Sequence, residues 1–361
     1  MSFVLSLSND DATLENVGGK GTSLAKMLAA GLPVPDGFHV TTKAYRLFVS
    51  ENGIQRRILD ALKGIDPHDS DALDTASQQI GSFFTEAKTP REIESAVSLV
   101  YGKMKNAPVA VRSSATAEDL PGASFAGQQE TYLNIHGEQE VLAAIKRCWA
   151  SLWTARAIAY RLNNNIDNGT VALAVVVQKL VFSDAAGILF TANPINGKRD
   201  ELVINAAWGL GEAIVSGLVT PDTIIVKKDT GKIAYRETAE KRIMTVRTAQ
   251  GTKEVPVSDS LKKKPVLSKK QIEELAWLGM KIERLYQMPM DIEWAMEKEK
   301  VLIVQARPIT VLPPEWVLPE KKVLLFAGVW ADRYNRKRLI IAADSIIAAT
   351  TLMLAERQTS Y

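Results

Sequence analysis

Apolar residues follow a helical spacing through much of the first 180 residues. Within residues 138–162, Leu142, Ile145 and Trp149 fall near one side of a helical pattern, and the stripe continues to Leu162. A stripe of this kind is typical of a helix that packs one face on a core. The pattern predicts one long helix over this segment and a mostly helical first hundred residues.

Beyond about residue 170 the pattern becomes that of strands. Residues 170–181, 186–194 and 201–209 have strand-like apolar runs and are bounded by glycine, proline and asparagine, which is typical of sheet. Residues 223–237 predict a hairpin with Asp-Thr-Gly at its turn. A capping box that starts at Ser268 predicts one more helix.

These patterns predict an α+β protein with a boundary near residue 180. We expect a helix-rich subdomain at residues 1–180, a sheet subdomain at residues 181–312, and a proline-rich linker with a short helical tail at residues 313–361. The apolar run in the tail is short and interrupted by Asp344, so a packed helix is favoured over a membrane span. No membrane partner is therefore expected.

The last pair of strands, "PMDIEWAMEKEKVLIVQARPIT", carries the most informative polar side chains. Because side chains alternate along a strand, Asp291 and Glu293 share one face. The opposite face, which is free of polar groups, is predicted to meet the core. Its predicted members are Ile292, Trp294, Met296, Leu302, Val304 and Ala306.

The pairing of these two strands follows from the length of the loop between them. Opposed residues in an antiparallel pair point to the same side of the sheet, so the loop is expected to contain an odd number of residues. A loop of residues 298–300 sets Glu293 opposite Gln305 and Asp291 opposite Arg307. Oxygen ligands of this kind suit Mg²⁺ beside phosphate, and arginine suits phosphate oxygens. The alternative is a solvated sheet face with an Asp–Arg surface pair.

Two glycine-rich segments offer further contacts for phosphate. In "NVGGKGTSLAKML", glycines surround Lys20 before a helix, so backbone amides and an ammonium can meet an anion; a plain turn is the alternative. Arg112 ends a short strand before a long loop of small residues, in which Gly127 and Thr131 offer a close backbone approach and a hydroxyl; the alternative is a disordered surface loop. A strand-to-helix turn in "NAAWGLGEAIVSG" exposes Glu212. Together these signals describe a Mg²⁺–nucleotide site.

Composition narrows the classes of partner and compartment. A net charge of +3 over 361 residues gives no strong field, so nucleic acid is not expected as a partner. The single cysteine, Cys148, permits neither an internal disulfide nor a thiolate metal cage, which fits a reducing cytoplasm. The first residues, "MSFVLSLSND", lack the pattern of a signal peptide.

Several of these segments resemble a known family. "GGKGTSLAKM", "VAVRSSATAEDLPGASFAGQQETYLNI", "GILFTANP", "NAAWGLGEAIVSG" and "DIEWAMEKEKVLIVQARPIT" resemble the ATP-grasp nucleotide-binding domain of the phosphoenolpyruvate synthase, pyruvate phosphate dikinase and rifampin phosphotransferase family. The resemblance runs in order from about residue 8 to 312. In that family the domain clamps Mg-ATP between two subdomains. A histidine on a separate, swivelling domain takes the β-phosphoryl group and carries it to a substrate domain.

The resemblance implies ATP and Mg²⁺ as cofactors, and it implies a role for each candidate residue. The implied triphosphate contacts are Lys20 and Arg112, the phosphate flap includes Gly127 and Thr131, and Gln178 lies near the adenine at the hinge. The implied Mg²⁺ ligands are Glu293 and Gln305, Arg307 faces the terminal phosphates, and Asp291 and Glu212 are supporting acidic groups, with Asp291 at the metal.

Three functions stay open from the sequence. The first is a phosphotransferase nucleotide module that passes the β-phosphoryl group to a carrier histidine on a domain absent from this chain or on another chain, with AMP and phosphate as products. None of His39, His68 and His136 lies in the glycine- and threonine-rich setting of the family's carrier. The second is a catalytically incomplete ATP-binding regulator, and the third is an ATP-grasp ligase that forms ADP. The final acceptor, whether pyruvate, a rifamycin or another molecule, is not specified by these residues.

Overall fold

The computed structural model describes residues 2–116, 130–249, 251–309 and 312–313. Helices and strands occur in the proportions of a mixed protein, and the predicted α+β class is confirmed. The predicted helical tail at residues 313–361 lies outside the described residues beyond Pro313, and so does Gly127. Within the described ranges no helix combines the length and the apolar character that crossing a membrane requires.

Most helices lie in the first half of the chain and most strands in the second half. The helices are α1 (Leu14–Ala29), α2 (Thr42–Glu51), α3 (Ile54–Ala61), α4 (Ser70–Glu86), α5 (Arg91–Lys103), α6 (Glu138–Ala150), α7 (Ala155–Asn163), α8 (Glu212–Val215), α9 (Asp259–Lys262) and α10 (Lys269–Tyr286). The strands are β1 (Val4–Ser6), β2 (Gly37–Val40), β3 (Val109–Ala115), β4 (Thr131–Ile135), β5 (Leu173–Lys179), β6 (Ala185–Phe190), β7 (Glu201–Trp208), β8 (Asp222–Lys227), β9 (Ile233–Glu237), β10 (Ile243–Arg247), β11 (Thr252–Pro256), β12 (Met290–Glu297) and β13 (Lys300–Pro308).

The first sheet is antiparallel, with strand order β1-β2-β5-β3-β4. Its central strand β5 is an unbroken apolar run up to Gln178, and it is buried on both faces. One face packs against a core built by the helices that precede and follow β3, and Tyr45, Phe84 and Trp149 form an aromatic cluster in this core. The helices that the sequence pattern predicted in the first part of the chain therefore cover one face of this sheet.

The second sheet is also antiparallel, with strand order β13-β12-β6-β7-β8-β9. Helix α10 covers it, and α10 begins at the predicted capping box: Ser268 Oγ accepts from the Gln271 N–H while the Gln271 side chain accepts from the Ser268 N–H. Leu24 and Met27 of α1 belong to the same core, although most of its residues lie between Ala185 and Ala306. Helix α1 therefore ties the N-terminal part of the chain to the second sheet.

The two sheets fall on either side of residue 180 along the chain. The described residues nevertheless cluster into one compact unit that ends at Pro313. The division into two subdomains accordingly stays a prediction.

The sequence-based prediction differs from the structure at two local points. The predicted single helix over residues 138–162 is interrupted by a 3₁₀ turn at Ser151–Trp153, after which the Thr154 side chain caps α7 by accepting from the Ala157 N–H. The strand that contains Arg112 does not end there but continues to Ala115, because β5 pairs with it over its whole length.

Gly187 permits a close approach in the middle of the second sheet. A Cβ atom at this position would lie 1.8 Å from the Asn205 carbonyl oxygen and 2.6 Å from the Trp294 ring. We expect Gly187→Ala to lower the free energy of unfolding by about 3 kcal/mol, because neither backbone nor buried ring can yield. Chemical denaturation checks this value. Gly81→Ala in α4 is the matched control: a Cβ there meets nothing within 4 Å, so this variant should be neutral or slightly stabilising.

Candidate functional site

A cleft of about 480 Å³ brings together most of the residues singled out in the sequence. Its size lies in the range of small-molecule sites. Eight of the ten predicted site residues line it: Lys20, Arg112, Thr131, Gln178, Glu212, Glu293, Gln305 and Arg307. Asp291 is not among the lining residues, and Gly127 lies outside the described residues. The cleft therefore joins residues of both sheets with one residue of α1.

The predicted pairing across β12 and β13 is confirmed, although the predicted loop length is wrong. Glu293 is opposite Gln305 and Asp291 is opposite Arg307. The turn contains only Lys298 and Glu299, both in the left-handed region. A regular ladder from this two-residue turn would place Glu293 opposite Val304 and would turn Gln305 to the other face.

A β-bulge at Val304 brings Gln305 opposite Glu293. The register shifts between Glu293 and Trp294, so that one extra residue, Val304, stands in β13 against this part of β12. Bulges of this kind re-aim side chains next to functional sites. Both Gln305 and Val304 consequently line the cleft together with Glu293.

The bulge also corrects the predicted core face. Ile292, Trp294, Met296 and Ala306 are core residues as predicted, but Leu302 and Val304 are not. Those two pack with Val181, Ala186 and Ala295 in a small cluster on the cleft side. Their places in the main core are taken by Val301 and Ile303, because the inserted residue reverses the alternation between the turn and Gln305.

The carboxylate of Asp291 is engaged by the guanidinium of Arg307. Arg307 Nε and Nη2 lie 2.9 and 2.8 Å from Asp291 Oδ2. Burial raises the pKa of Asp291 and the Glu293 carboxylate adds to this effect, whereas Arg307 opposes it. Asp291 thus orients Arg307, which lines the cleft, while Asp291 itself is not among the lining residues.

Arg112 links the two sheets across the floor of the cleft. Its Nη1 donates to the carbonyl oxygen of Val304, the bulge residue, at 3.0 Å. Its buried Nε has no hydrogen-bond partner within the part of the chain that the structure describes. An arginine that is held at one end and lines the cleft is well placed to donate to an anion.

The glycine-rich segment around Lys20 is docked on the end of β3. Gly18 has φ of +70°, and a Cβ there would lie 2.3 Å from the Ser114 carbonyl oxygen. Ser114 Oγ in turn accepts from the Gly21 N–H at 3.1 Å and donates to the Val17 carbonyl at 2.7 Å. The kink at Gly18 and the two contacts of Ser114 bring the Lys20 ammonium to 3.3 Å from the Ser113 carbonyl, beside the cleft.

The remaining predicted residues occupy other walls of the cleft. Gln178 is 1% exposed at the end of β5, and its Nε2 donates to the Pro35 carbonyl at 3.3 Å. Glu212 begins α8, and its Oε2 accepts from the Thr252 hydroxyl at 3.0 Å. Thr131 begins β4, directly opposite Arg112. These placements leave the roles of the residues as predictions.

Sequence reasoning missed the apolar lining of the cleft. The missed residues include Leu180, Val181, Ala186, Leu210 and Val304. Valine, leucine and alanine in strand-like runs carry no sign of which face they occupy when both faces are buried. The sequence offered one signal for this lining, the apolar residues Leu180 and Val181, because they lie in the segment that connects the two sheets.

The donor set in the cleft fits Mg²⁺ bound together with phosphate. Glu293 and Gln305 offer a carboxylate and an amide oxygen on neighbouring strands, both lining the cleft. Within the described ranges no three His, Cys, Asp or Glu side chains are grouped so as to hold a metal by themselves. This composition suits a Mg²⁺ ion that keeps waters and takes its other ligands from a substrate's phosphates.

Comparison with known proteins gives a consistent assignment. The family described as "Pyruvate phosphate dikinase, AMP/ATP-binding domain" matches residues 14–322. A probable phosphoenolpyruvate synthase of Methanocaldococcus jannaschii is 51% identical over 313 residues, which cover 85% of this chain and 26% of that protein. The phosphoenolpyruvate synthase of Pyrococcus furiosus is 43% identical, over 86% of this chain and 43% of that protein.

A rifampicin phosphotransferase of Streptomyces sviceus is 44% identical, over 86% of this chain and 36% of that protein. The chain thus spans between about a quarter and a little under half of the length of these relatives. The family match covers the glycine-rich segment, Arg112 and the terminal hairpin alike. The chain belongs to the pyruvate phosphate dikinase family through its AMP/ATP-binding domain.

Proposed function

We propose that this chain binds Mg-ATP in the cleft and is the nucleotide module of a phosphoenolpyruvate synthase-like phosphotransferase. It passes the β-phosphoryl group of ATP to a carrier histidine on a domain outside this chain; AMP is released, and the γ-phosphoryl group is transferred to water and leaves as phosphate. The observation that carries the proposal is the meeting of Lys20, Arg112 and the Glu293–Gln305 pair in one cleft.

The residues that line the cleft are of two kinds, charged or polar and apolar. Lys20, Arg112 and Arg307 supply positive charge in the same cleft as the Glu293–Gln305 pair, and these residues receive the polyphosphate. Leu180, Val181, Ala186 and Leu210 supply apolar surface suited to a base, and the buried Gln178 amide is also among the lining residues. Two subdomains, at residues 1–180 and 181–312, enclose the nucleotide in the manner of ATP-grasp proteins.

Phosphoryl transfer needs positioning and neutralisation of charge more than covalent help from the protein. In the proposed reaction Arg112 and Lys20 hold the phosphate chain and neutralise its charge. Glu293 and Gln305 would hold Mg²⁺, which would supply positive charge against the phosphate oxygens. Asp291 holds Arg307 in a fixed orientation through the ion pair at the cleft edge.

The histidines of this chain do not offer a carrier at the cleft. None of the three lines it. His39 is fully buried in β2, where burial lowers its pKa to about 4, and His136 Nε2 is bonded to the Ala249 carbonyl at 2.9 Å. A carrier histidine from elsewhere is therefore part of the proposal.

Transfer of label from ATP tests the proposed reaction. The chain is incubated with Mg²⁺, ATP labelled at the β-phosphoryl group, and the portion of the M. jannaschii relative that lies beyond the matched region. We expect AMP, unlabelled phosphate and a labelled, acid-labile phosphohistidine on the added portion. A version of that portion without its histidines is the control. Binding of Mg-ATP with no transfer would favour a regulatory nucleotide-binding protein, and formation of ADP would favour a ligase.

A second candidate differs only in the final acceptor. The identity to the rifampicin phosphotransferase of Streptomyces sviceus, 44%, is close to the 43% identity to the Pyrococcus furiosus enzyme. The nucleotide module of a rifampicin phosphotransferase-like enzyme would perform the same first step. Comparing label transfer to the portion of the M. jannaschii relative beyond the matched region with transfer to the corresponding portion of the S. sviceus relative distinguishes the two, since each candidate should prime its own kind of carrier faster.

A further inference from the structure

A small hairpin connects the two walls of the cleft. We call residues 243–249 and 251–256, which include β10 and β11, the bridging hairpin; the two strands make a sheet of their own, separate from the two large sheets. In the middle of β10 the Thr245 carbonyl accepts from the Leu210 N–H at 2.9 Å. Gly209 allows this approach, since a Cβ there would lie 2.4 Å from the Thr245 oxygen.

Two further contacts hold the bridging hairpin on the second-sheet side. The Thr252 hydroxyl donates to Glu212 Oε2 at 3.0 Å, and the Arg247 guanidinium lies 3.7 Å from the centre of the Phe182 ring. Leu210 and Glu212 line the cleft, and Phe182 belongs to the segment that connects the two sheets. The strands of the hairpin, from Thr245 to the last pair, Arg247 and Thr252, are thus fixed to one wall.

The tip of the bridging hairpin is held by the opposite wall. Asn134 Nδ2 donates to the carbonyls of Thr248 and Gly251, at 2.8 Å each. His136 Nε2 donates to the Ala249 carbonyl at 2.9 Å. Asn134 belongs to β4, the edge strand whose Thr131 and Leu133 line the cleft. The hairpin therefore spans from one side of the cleft to the other.

The backbone of β4 is distorted at the anchoring residue. The register of β3 and β4 shifts between Val109 and Val111, which leaves an extra residue in β4 near Asn134. Asn134 itself has φ of +57° and is 3% exposed. A left-handed residue in a bulge re-aims its side chain at a local cost, and asparagine is among the residues that accept this conformation. Here the re-aimed carboxamide meets two carbonyls of the hairpin.

We propose that Asn134 is a positioning residue that fastens the bridging hairpin across the cleft and thereby slows the release of bound nucleotide. Undocking of the tip separates β4 from the turn at residues 209–212 and opens one side of the cleft. The inference rests on the proposed nucleotide binding for its kinetic consequence. The docking of the tip itself can be measured without any nucleotide.

Substitution of Asn134 by glycine tests the proposal without straining the backbone. Glycine accepts the left-handed conformation and removes only the carboxamide. We expect the dissociation of a fluorescent ATP analogue, measured by stopped flow with Mg²⁺, to accelerate about tenfold, while its association changes much less. Asn134→Asp should have the larger effect, because a carboxylate would face two carbonyl oxygens. Lys253→Ala, on an exposed position of the same hairpin, should leave both rates unchanged.

Hydrogen exchange in the nucleotide-free protein gives the independent readout. In Asn134→Gly, amides of residues 243–249 and 251–255 should lose protection, while those of the large sheets keep theirs. Unchanged protection of the hairpin overturns the anchoring role. Lost protection with unchanged nucleotide dissociation overturns the kinetic role. Failure of the unsubstituted chain to bind Mg-ATP would contradict the proposed function, and the exchange data would still decide whether Asn134 fastens the tip.

Discussion

Glu293→Gln is expected to abolish the magnesium-dependent part of ATP binding, with a loss in affinity of about 100-fold. The substitution keeps the shape of the side chain and one oxygen, but it removes the negative charge that balances a divalent cation. Gln305, opposite Glu293, supplies only a neutral amide, so no other lining carboxylate on these two strands compensates. Calorimetric titration of ATP with and without Mg²⁺ measures the effect.

The matched control for this variant lies on the same strand. Glu297→Gln makes the same chemical change near the turn, at a position that does not line the cleft, and we expect no change in ATP affinity. Glu293→Ala should behave as Glu293→Gln does. Retention of full Mg²⁺ dependence in both Glu293 variants would rule out this carboxylate as a ligand.

Arg112→Ala is expected to weaken ATP binding by about 100-fold and AMP binding by less than about threefold. The guanidinium reaches the polyphosphate end of the cleft, beside Lys20 and the Glu293–Gln305 pair, and AMP lacks the phosphates that it would contact. Competition of each nucleotide against a fluorescent analogue gives both affinities.

Two controls separate a lost phosphate contact from a general loosening of the cleft in the Arg112 variant. The bond from Arg112 to the Val304 carbonyl also joins the sheets, so its loss could loosen the cleft for every ligand. AMP is therefore the internal control, and Arg112→Lys, which keeps the charge without the planar fork, should be intermediate. An equal loss of ATP and AMP affinity would refute a role at the triphosphate.

The terminal hairpin shows how a correct pairing can follow from an incorrect loop. The sequence predicted a loop with an odd number of residues, because opposed residues must share a face. The protein instead has a two-residue turn, Lys298 and Glu299. Two-residue turns with both residues left-handed favour Asn-Gly or Asp-Gly, so nothing in the local sequence indicated one here. The bulge at Val304 adds the missing residue within the strand instead of within the loop.

Val304 illustrates the kind of residue whose role depends on tertiary structure. In the sequence it is one apolar residue in an alternating strand, and its predicted place was the core. In the fold its side chain lines the cleft and its carbonyl accepts from Arg112, a residue 192 positions away in the chain. Deletion of one residue here would keep the pairs Glu293–Gln305 and Asp291–Arg307 but would remove the acceptor that holds Arg112.

The sequence by itself determined the α+β class, the capped start of α10, the shared face of Asp291 and Glu293, and the residues that resemble a nucleotide site. These features depend on periodicity and capping, which act over a few residues and so can be read locally. The tertiary structure alone decided the bulge at Val304, the ion pair between Asp291 and Arg307, the link from Arg112 to β13, and the hold of Asn134 on the bridging hairpin. Each of these depends on where strands distant in sequence meet, and a pattern of neighbouring residues carries no information about that.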